Sequence, residues 1–245
     1  MKVGAQNLIP MCFPICLALA LAGGGFEGAL AAQTVPFVGC PGDGQTGPVE
    51  PVKGAPKRVA LDAATASALA YYQAGDAYGV LAPRGWNCFF VYGSDGQSLM
   101  VAPNEKFADA LDASFTGPAV IGTLHYGSTS GRFAVAKYAA RLFPKQARAF
   151  IASVIAEGIE PKSEFIFQPY PADHVTPKGA RSLVFETPAG AEGLGTSDRL
   201  KPGDLPVTGF AALQGDRKAP DFFLLTVRLP ADEAGLAPAI VSGGR

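Results

Sequence analysis

One covalent crosslink is open to this chain once its leader is set aside, and that crosslink constrains the fold more than any periodic pattern does. The leader spans residues 1–31. One base, Lys2, precedes an uncharged apolar run over residues 8–22, and small-residue sites follow at Ala20-Leu21-Ala22 and Ala29-Leu30-Ala31. That is the layout of a secretory signal peptide. Cleavage is expected after Ala31, with Ala22 as the alternative. The apolar run is shorter than the about 20 residues a membrane span needs, and Pro10 and Pro14 interrupt it. Neither Cys12 nor Cys16 follows the small-residue pattern of a lipidated leader. Of the four cysteines, Cys40 and Cys88 then remain, and an oxidising compartment pairs them. The alternative is two buried, inert thiols. Closing a loop of this length stabilises a fold by roughly 4 kcal/mol on the chain-entropy argument.

Removing residues 1–31 takes away one base, Lys2, and one acid, Glu27, so the net charge stays at -1. A near-neutral chain offers no electrostatic footprint for nucleic acid or anionic lipid, and no insertion of the mature chain into a membrane is expected. Roughly 214 residues remain, the size of one large domain. The 16 Phe and 7 Tyr, with many Val, Ile and Leu, can supply a core, while 30 Gly and 21 Pro imply many turns. Residues 32–58 read as an extended Pro/Gly-rich segment leading into a single globular domain over residues 59–245. Within that segment, residues 40–56 (CPGDGQTGPVEPVKGAP) have no hydrophobic period and predict a surface loop.

Asp62 is placed to cap a helix running to about Ala74, which Gly75 would end. The Gly-Ser-Asp-Gly turn at residues 93–96 joins runs 86–92 and 97–102 into a predicted β-hairpin. Residues 119–124 predict a buried strand, followed by the small-residue loop HYGSTSG and a helix over about 132–143. In a second helix, begun near Pro144, Ala147, Phe150, Ile151, Val154 and Ile155 form one apolar stripe, and Gly158 stands where a C-terminal glycine belongs. Further strands are expected at 165–167, 181–186, 207–214 and 222–229, with a last helical turn after Pro230. Hairpins mixed with one strand-loop-helix unit predict an α+β fold. It would be a single domain with a mainly antiparallel sheet packed by helices, long Gly/Pro-rich loops and one disulfide.

The strings CPGDGQTGP, LAPRGWNCFFVYGSDG, SGRFAVAKYAARLFP, EGLGTSDRLKPGDLPVTG and PDFFLLTVRLP resemble stretches of a family of uncharacterised secreted bacterial proteins, over most of the mature chain. The resemblance implies a bacterial, exported, single-domain protein. No activity is known to us for that family, so it implies no functional residue.

Chemistry is concentrated in few places. The loop over residues 125–132 feeds a helix N-terminus with glycines and hydroxyls. Ser128, Ser130, Gly131 and Arg132 are therefore candidates for holding an anionic ligand. The structural alternative is that Ser128 or Ser130 merely caps the helix. A hydrolase would need a hydroxyl, a base and an acid together; His125 with Ser128 or Ser130 is the candidate set. His174, beside Asp173, falls in a proline-rich stretch expected to be an exposed loop. A carboxylate pair for glycoside cleavage cannot be picked out from spacing. Two cysteines and two distant histidines match no metal-ligand pattern, and no cofactor motif is present, because the loop lacks GK[ST] and has Thr129 where a nucleophile elbow needs Ser. Alternation places Trp86, Cys88, Phe90 and Tyr92 on one strand face. Core packing around the disulfide is the ordinary reading, an aromatic surface for sugar or peptide the alternative, with Arg84 able to stack on Trp86. Residues 192–199 read as a turn region or, alternatively, a functional loop. The leading expectation is an exported, non-catalytic protein that binds a small ligand or an envelope partner; the alternative is the hydrolase.

Overall fold

Two strands with long apolar runs, FAAL and FFLL, set the centre of the molecule. In the computed structural model, which describes Met1, residues 32–103, 107 and 114–243, β12 (Val207–Gln214) and β13 (Asp221–Arg228) are buried along nearly their whole length. Apolar residues in unbroken succession demand cover on both faces of a sheet. Along β13, Phe222 and Leu224 join one hydrophobic cluster while Phe223, Leu225 and Val227 join another. The expected signal peptide lies, Met1 apart, outside the described residues.

The main sheet has eight strands in the order β10 (His174–Gly179), β11 (Ser182–Thr187), β12, β13, β9 (Ala119–His125), β8 (Gly96–Ala102), β7 (Asn87–Tyr92), β3 (Gly42–Gly44). Every neighbouring pair is antiparallel except β3 and β7, which run parallel. Helices α2 (Arg132–Leu142) and α3 (Arg148–Ala156) cover one face, burying Val135, Ala136, Ala139 and Ala140 from α2 and Phe150, Ile151 and Val154 from α3. The expected apolar stripe is this buried side of α3, and Gly158, at φ +66°, follows its end. The opposite face is covered by a three-stranded sheet, β2 (Phe37–Gly39), β5 (Leu69–Gln73) and β6 (Gly79–Pro83), and by α4 (Ala237–Gly243). Among the described residues sheet dominates, with 37% strand against 21% helix.

The expected β-hairpin and the strands at 119–124, 181–186, 207–214 and 222–229 appear as β7 to β9 and β11 to β13 within a residue or two. Four expectations are corrected. The helix α1 (Ala63–Ala68), capped by Asp62, whose side chain accepts from the Thr65 N–H at 2.9 Å, stops at Ala68. From Leu69 the chain becomes β5, because Leu69, Ala70 and Tyr72 bury completely in the core as a strand between β2 and β6. The surface loop expected over residues 40–56 is interrupted by β3, which pairs with β7, and the residues on either side of it form strands: β1 (Ala32–Val35) pairs with β4 (Lys57–Ala60), and β2 with β5. Its glycines permit close backbone approach. A Cβ at Gly44 would lie 2.2 Å from the Tyr92 carbonyl oxygen. Residues 165–167 form no strand; Phe165 inserts alone into the helix-side core while Ile166 and Phe167 stay exposed. Residues 174–179, expected as a loop, are the edge strand β10. All six are exposed, and Pro177, Lys178 and a register slip blunt the edge against further pairing.

Cys40 and Cys88 are bonded, their Cα atoms 5.4 Å apart. The bridge joins the link between β2 and β3 to the start of β7 and sits in the core beside Phe90, with Trp86 packed against it. Among the described residues no helix is long and apolar enough to cross a membrane.

Candidate functional site

Register brings together polar residues that are far apart in sequence. Ser98 of β8 faces Thr123 of β9, and Gly96 faces His125. Alternation along a strand puts Thr123 and His125 on one side of the sheet, the side of Phe222 and Leu224 in neighbouring β13. Thr123 Oγ1 donates to Asp198 Oδ2 at 2.8 Å, and Ser98 Oγ lies 3.1 Å from Thr123 Oγ1. Ser98 and Thr123 are themselves buried.

Asp198 comes from a glycine-rich loop anchored by Asp173. One carboxylate oxygen of Asp173 accepts the Thr187 hydroxyl at 2.6 Å; the other accepts the Leu194 N–H at 2.8 Å. Thr187 Oγ1 in turn accepts the Gly195 N–H at 3.0 Å. The clamp therefore fixes the backbone just ahead of Asp198 and Arg199.

These residues enclose a cleft of about 250 Å³ whose polar lining includes Asp95, Ser98, Thr123, His125, Asp198 and Arg199. The His125 ring stacks on Tyr138, centroids 5.7 Å apart, and Tyr138 stacks on Phe222 at 4.5 Å. His125 Nε2 is buried and finds no hydrogen-bond partner among the described residues. Burial lowers the His125 pKa below its usual value, with Arg199 acting in the same sense; the carboxylates of Asp198 and Asp95 pull the other way and are outweighed. The imidazole is accordingly neutral near pH 7. Burial also drives the Tyr138 hydroxyl far upward, so it stays protonated.

The other expected residues are placed less centrally. Ser128 and Ser130 are exposed, and Ser130 Oγ lies 3.1 Å from Ser94 Oγ. Neither caps α2, whose N-cap is Gly131 without a side-chain bond. A Cβ at Gly131 would lie 2.0 Å from the Asp95 carbonyl oxygen, so this glycine serves close packing against the β7–β8 turn. Arg132 is held by Glu157, Nε to Oε1 at 2.9 Å and NH2 to Oε2 at 2.6 Å, and by the Thr129 carbonyl at 2.9 Å. Its guanidinium is directed at the chain's own acceptors. His174 stands on the exposed edge strand, along a separate groove of about 370 Å³ closed by α4. Cys88 and Phe90 lie in the core, and Arg84 NH2 reaches the Leu69 and Ala66 carbonyls at 3.4 and 3.5 Å. Among the described residues no group of three His, Cys, Asp or Glu side chains is disposed to hold a metal ion.

Sequence reasoning picked out His125 and the loop carrying Asp198 and Arg199, but it missed Ser98 and Thr123. The available signal was a hydroxyl inside each of two otherwise apolar strands, QSLMVA and AVIGTLH, because a buried hydroxyl needs a partner. No protein-family model, curated protein or solved structure matches the chain.

Proposed function

We propose that this chain is an exported, non-catalytic binding protein of the bacterial envelope that holds a small polar ligand in the cleft between His125 and Asp198. The observation that carries the reading is the buried, unpartnered Nε2 of His125 on a wall shared with the Ser98, Thr123 and Asp198 chain. Buried polar atoms ordinarily have partners, and a ligand atom would supply one. Concave sites with a few convergent polar groups are the usual form of a binding pocket. The disulfide suits an oxidising compartment, and the leader over residues 1–31 suits delivery there. The bacterial origin rests on the sequence resemblance.

The test is a thermal-shift screen of the purified protein against sugars, amines, amino acids, peptidoglycan fragments, nucleotides and metal salts. A ligand at 100 times its Kd stabilises the native state by about 2.7 kcal/mol, which raises Tm by about 5–10 °C in a domain of this size. His125→Gln is expected to abolish the shift, and Asp198→Asn to abolish it where the ligand is a cation. A shift that survives both variants places binding elsewhere and overturns the reading. Ester hydrolysis that disappears in Ser128→Ala or Ser130→Ala would establish the hydrolase instead.

A further inference from the structure

Resting on the cleft as the binding site, we infer that its ligand presents hydrogen-bond donors and carries no negative charge: a polyol or an amine rather than an acid. The argument is the direction of one hydrogen-bond chain. A carboxylate only accepts, so the 2.8 Å contact fixes Thr123 as donor to Asp198. Thr123 has one hydroxyl hydrogen, now committed. The 3.1 Å contact between Ser98 Oγ and Thr123 Oγ1 must then be donated by Ser98. Ser98 has spent its own hydrogen and offers the cleft lone pairs alone. The negative charge of Asp198, 75 residues downstream of Thr123, therefore sets the polarity of a serine on the cleft wall.

Electrostatics agrees with the chain. Two carboxylates, Asp95 and Asp198, line the cleft against one guanidinium, Arg199, and His125 adds no charge while neutral. An entering anion would meet acceptor lone pairs and a lining with more negative than positive groups. A hydroxyl or ammonium hydrogen would meet partners. The same reasoning predicts that valine cannot stand in for Thr123: without the threonine oxygen, the Ser98 hydroxyl is free to rotate and donate.

The experiment measures Kd at pH 7.5 by calorimetry with three probe classes of similar size: neutral polyols such as glucose and inositol, amines such as ethanolamine and glucosamine, and the anions acetate and phosphate. The expected result is binding by a polyol or an amine and none by the anions. Thr123→Val is expected to weaken that binding about tenfold, the order associated with one lost hydrogen bond of this type, while Thr123→Ser restores it. Ser98→Ala, a smaller change should the valine variant not fold, is expected to weaken it by a similar factor. Asp198→Asn separates the two sources: amine binding falls while polyol binding holds. Anion binding that disappears in Ser98→Ala would keep the cleft as a site and overturn this inference. Donor binding indifferent to both Thr123→Val and Ser98→Ala would overturn it too. Absence of binding by all three classes removes this inference together with the cleft reading.

Discussion

His125 is buried, neutral and stacked on Tyr138, and each of these properties follows from its place at the end of β9 beneath α2. Because burial lowers its pKa in the folded state, the unfolded chain takes up the proton first as pH falls. The consequence has a definite sign. His125 makes no pH-dependent demand above the unfolded value near 6.5, and stability is lost progressively as pH drops from there through the folded value. Urea melts of the wild type and of His125→Gln at pH 7.5 and pH 5 check this: the wild type is expected to lose more stability between the two pH values than the variant. The variant removes this titration and leaves the rest of the chain unchanged, so the comparison isolates His125. Equal losses would mean that His125 titrates with its ordinary pKa. Asp62 has the same sign from a different cause. Hydrogen bonds from Thr65 hold its carboxyl below the usual value, so its cap on α1 is intact at neutral pH and disappears only as pH falls through that lowered value.

At the level of elements, the cleft depends on a loop whose glycine-rich sequence carries no regular period. The Asp173 clamp supplies the order that the sequence lacks, since its two oxygens tie the Thr187 hydroxyl and the Leu194 N–H to one point. Asp173→Ala leaves both donors without partners, and an unsatisfied buried donor costs about 1–3 kcal/mol. Denaturant unfolding should show a loss of that order, and ligand affinity should fall because Asp198 and Arg199 are no longer positioned. A full-affinity variant would show that the loop is ordered by other contacts. Asp173 was visible in the sequence only as a neighbour of His174; its partners are 14 and 21 residues away. The same contrast runs through the fold. Helix α3 and strands β7 to β9, β12 and β13 were legible because their apolar patterns are local and long. Strands β1 to β5 were not, since each is short and is defined by its pairing rather than by its composition. The glycines that suggested a loop at residues 40–56 instead let β3 lie against Phe90 and Tyr92. At the site, His125 and the loop at 192–199 were legible as residue types in suggestive surroundings. Ser98 and Thr123 were not, because their meeting depends on the register of β8 against β9.

At the scale of the whole molecule, the N-terminal segment closes the structure. Strands β1, β2 and β3, consecutive in the chain, enter three different sheets, with β2 and β3 extending the three-stranded and main sheets at their edges. Such short pairings contribute few ladder bonds each, and β3 has only three residues. The bridge between Cys40 and Cys88 fastens this segment to β7 at the position where the two layers meet. Crosslinking residues 48 apart in sequence removes conformational freedom from the unfolded chain, which on the chain-entropy argument stabilises the native state by roughly 4 kcal/mol. Replacing both cysteines by alanine is expected to lower the unfolding free energy by about 2–5 kcal/mol, and the loss should be uneven. Hydrogen exchange should accelerate most at Gly42, Val49, Tyr71 and Phe90, whose backbone N–H groups bond within or to the fastened segment. The central ladder between β12 and β13, separated from β7 by β9 and β8 in the sheet, should exchange only through global unfolding, at the rate the lower stability sets. Uniform acceleration at all sites would show that the crosslink acts on the unfolded chain alone, and that the segment's own pairings suffice to hold it in place.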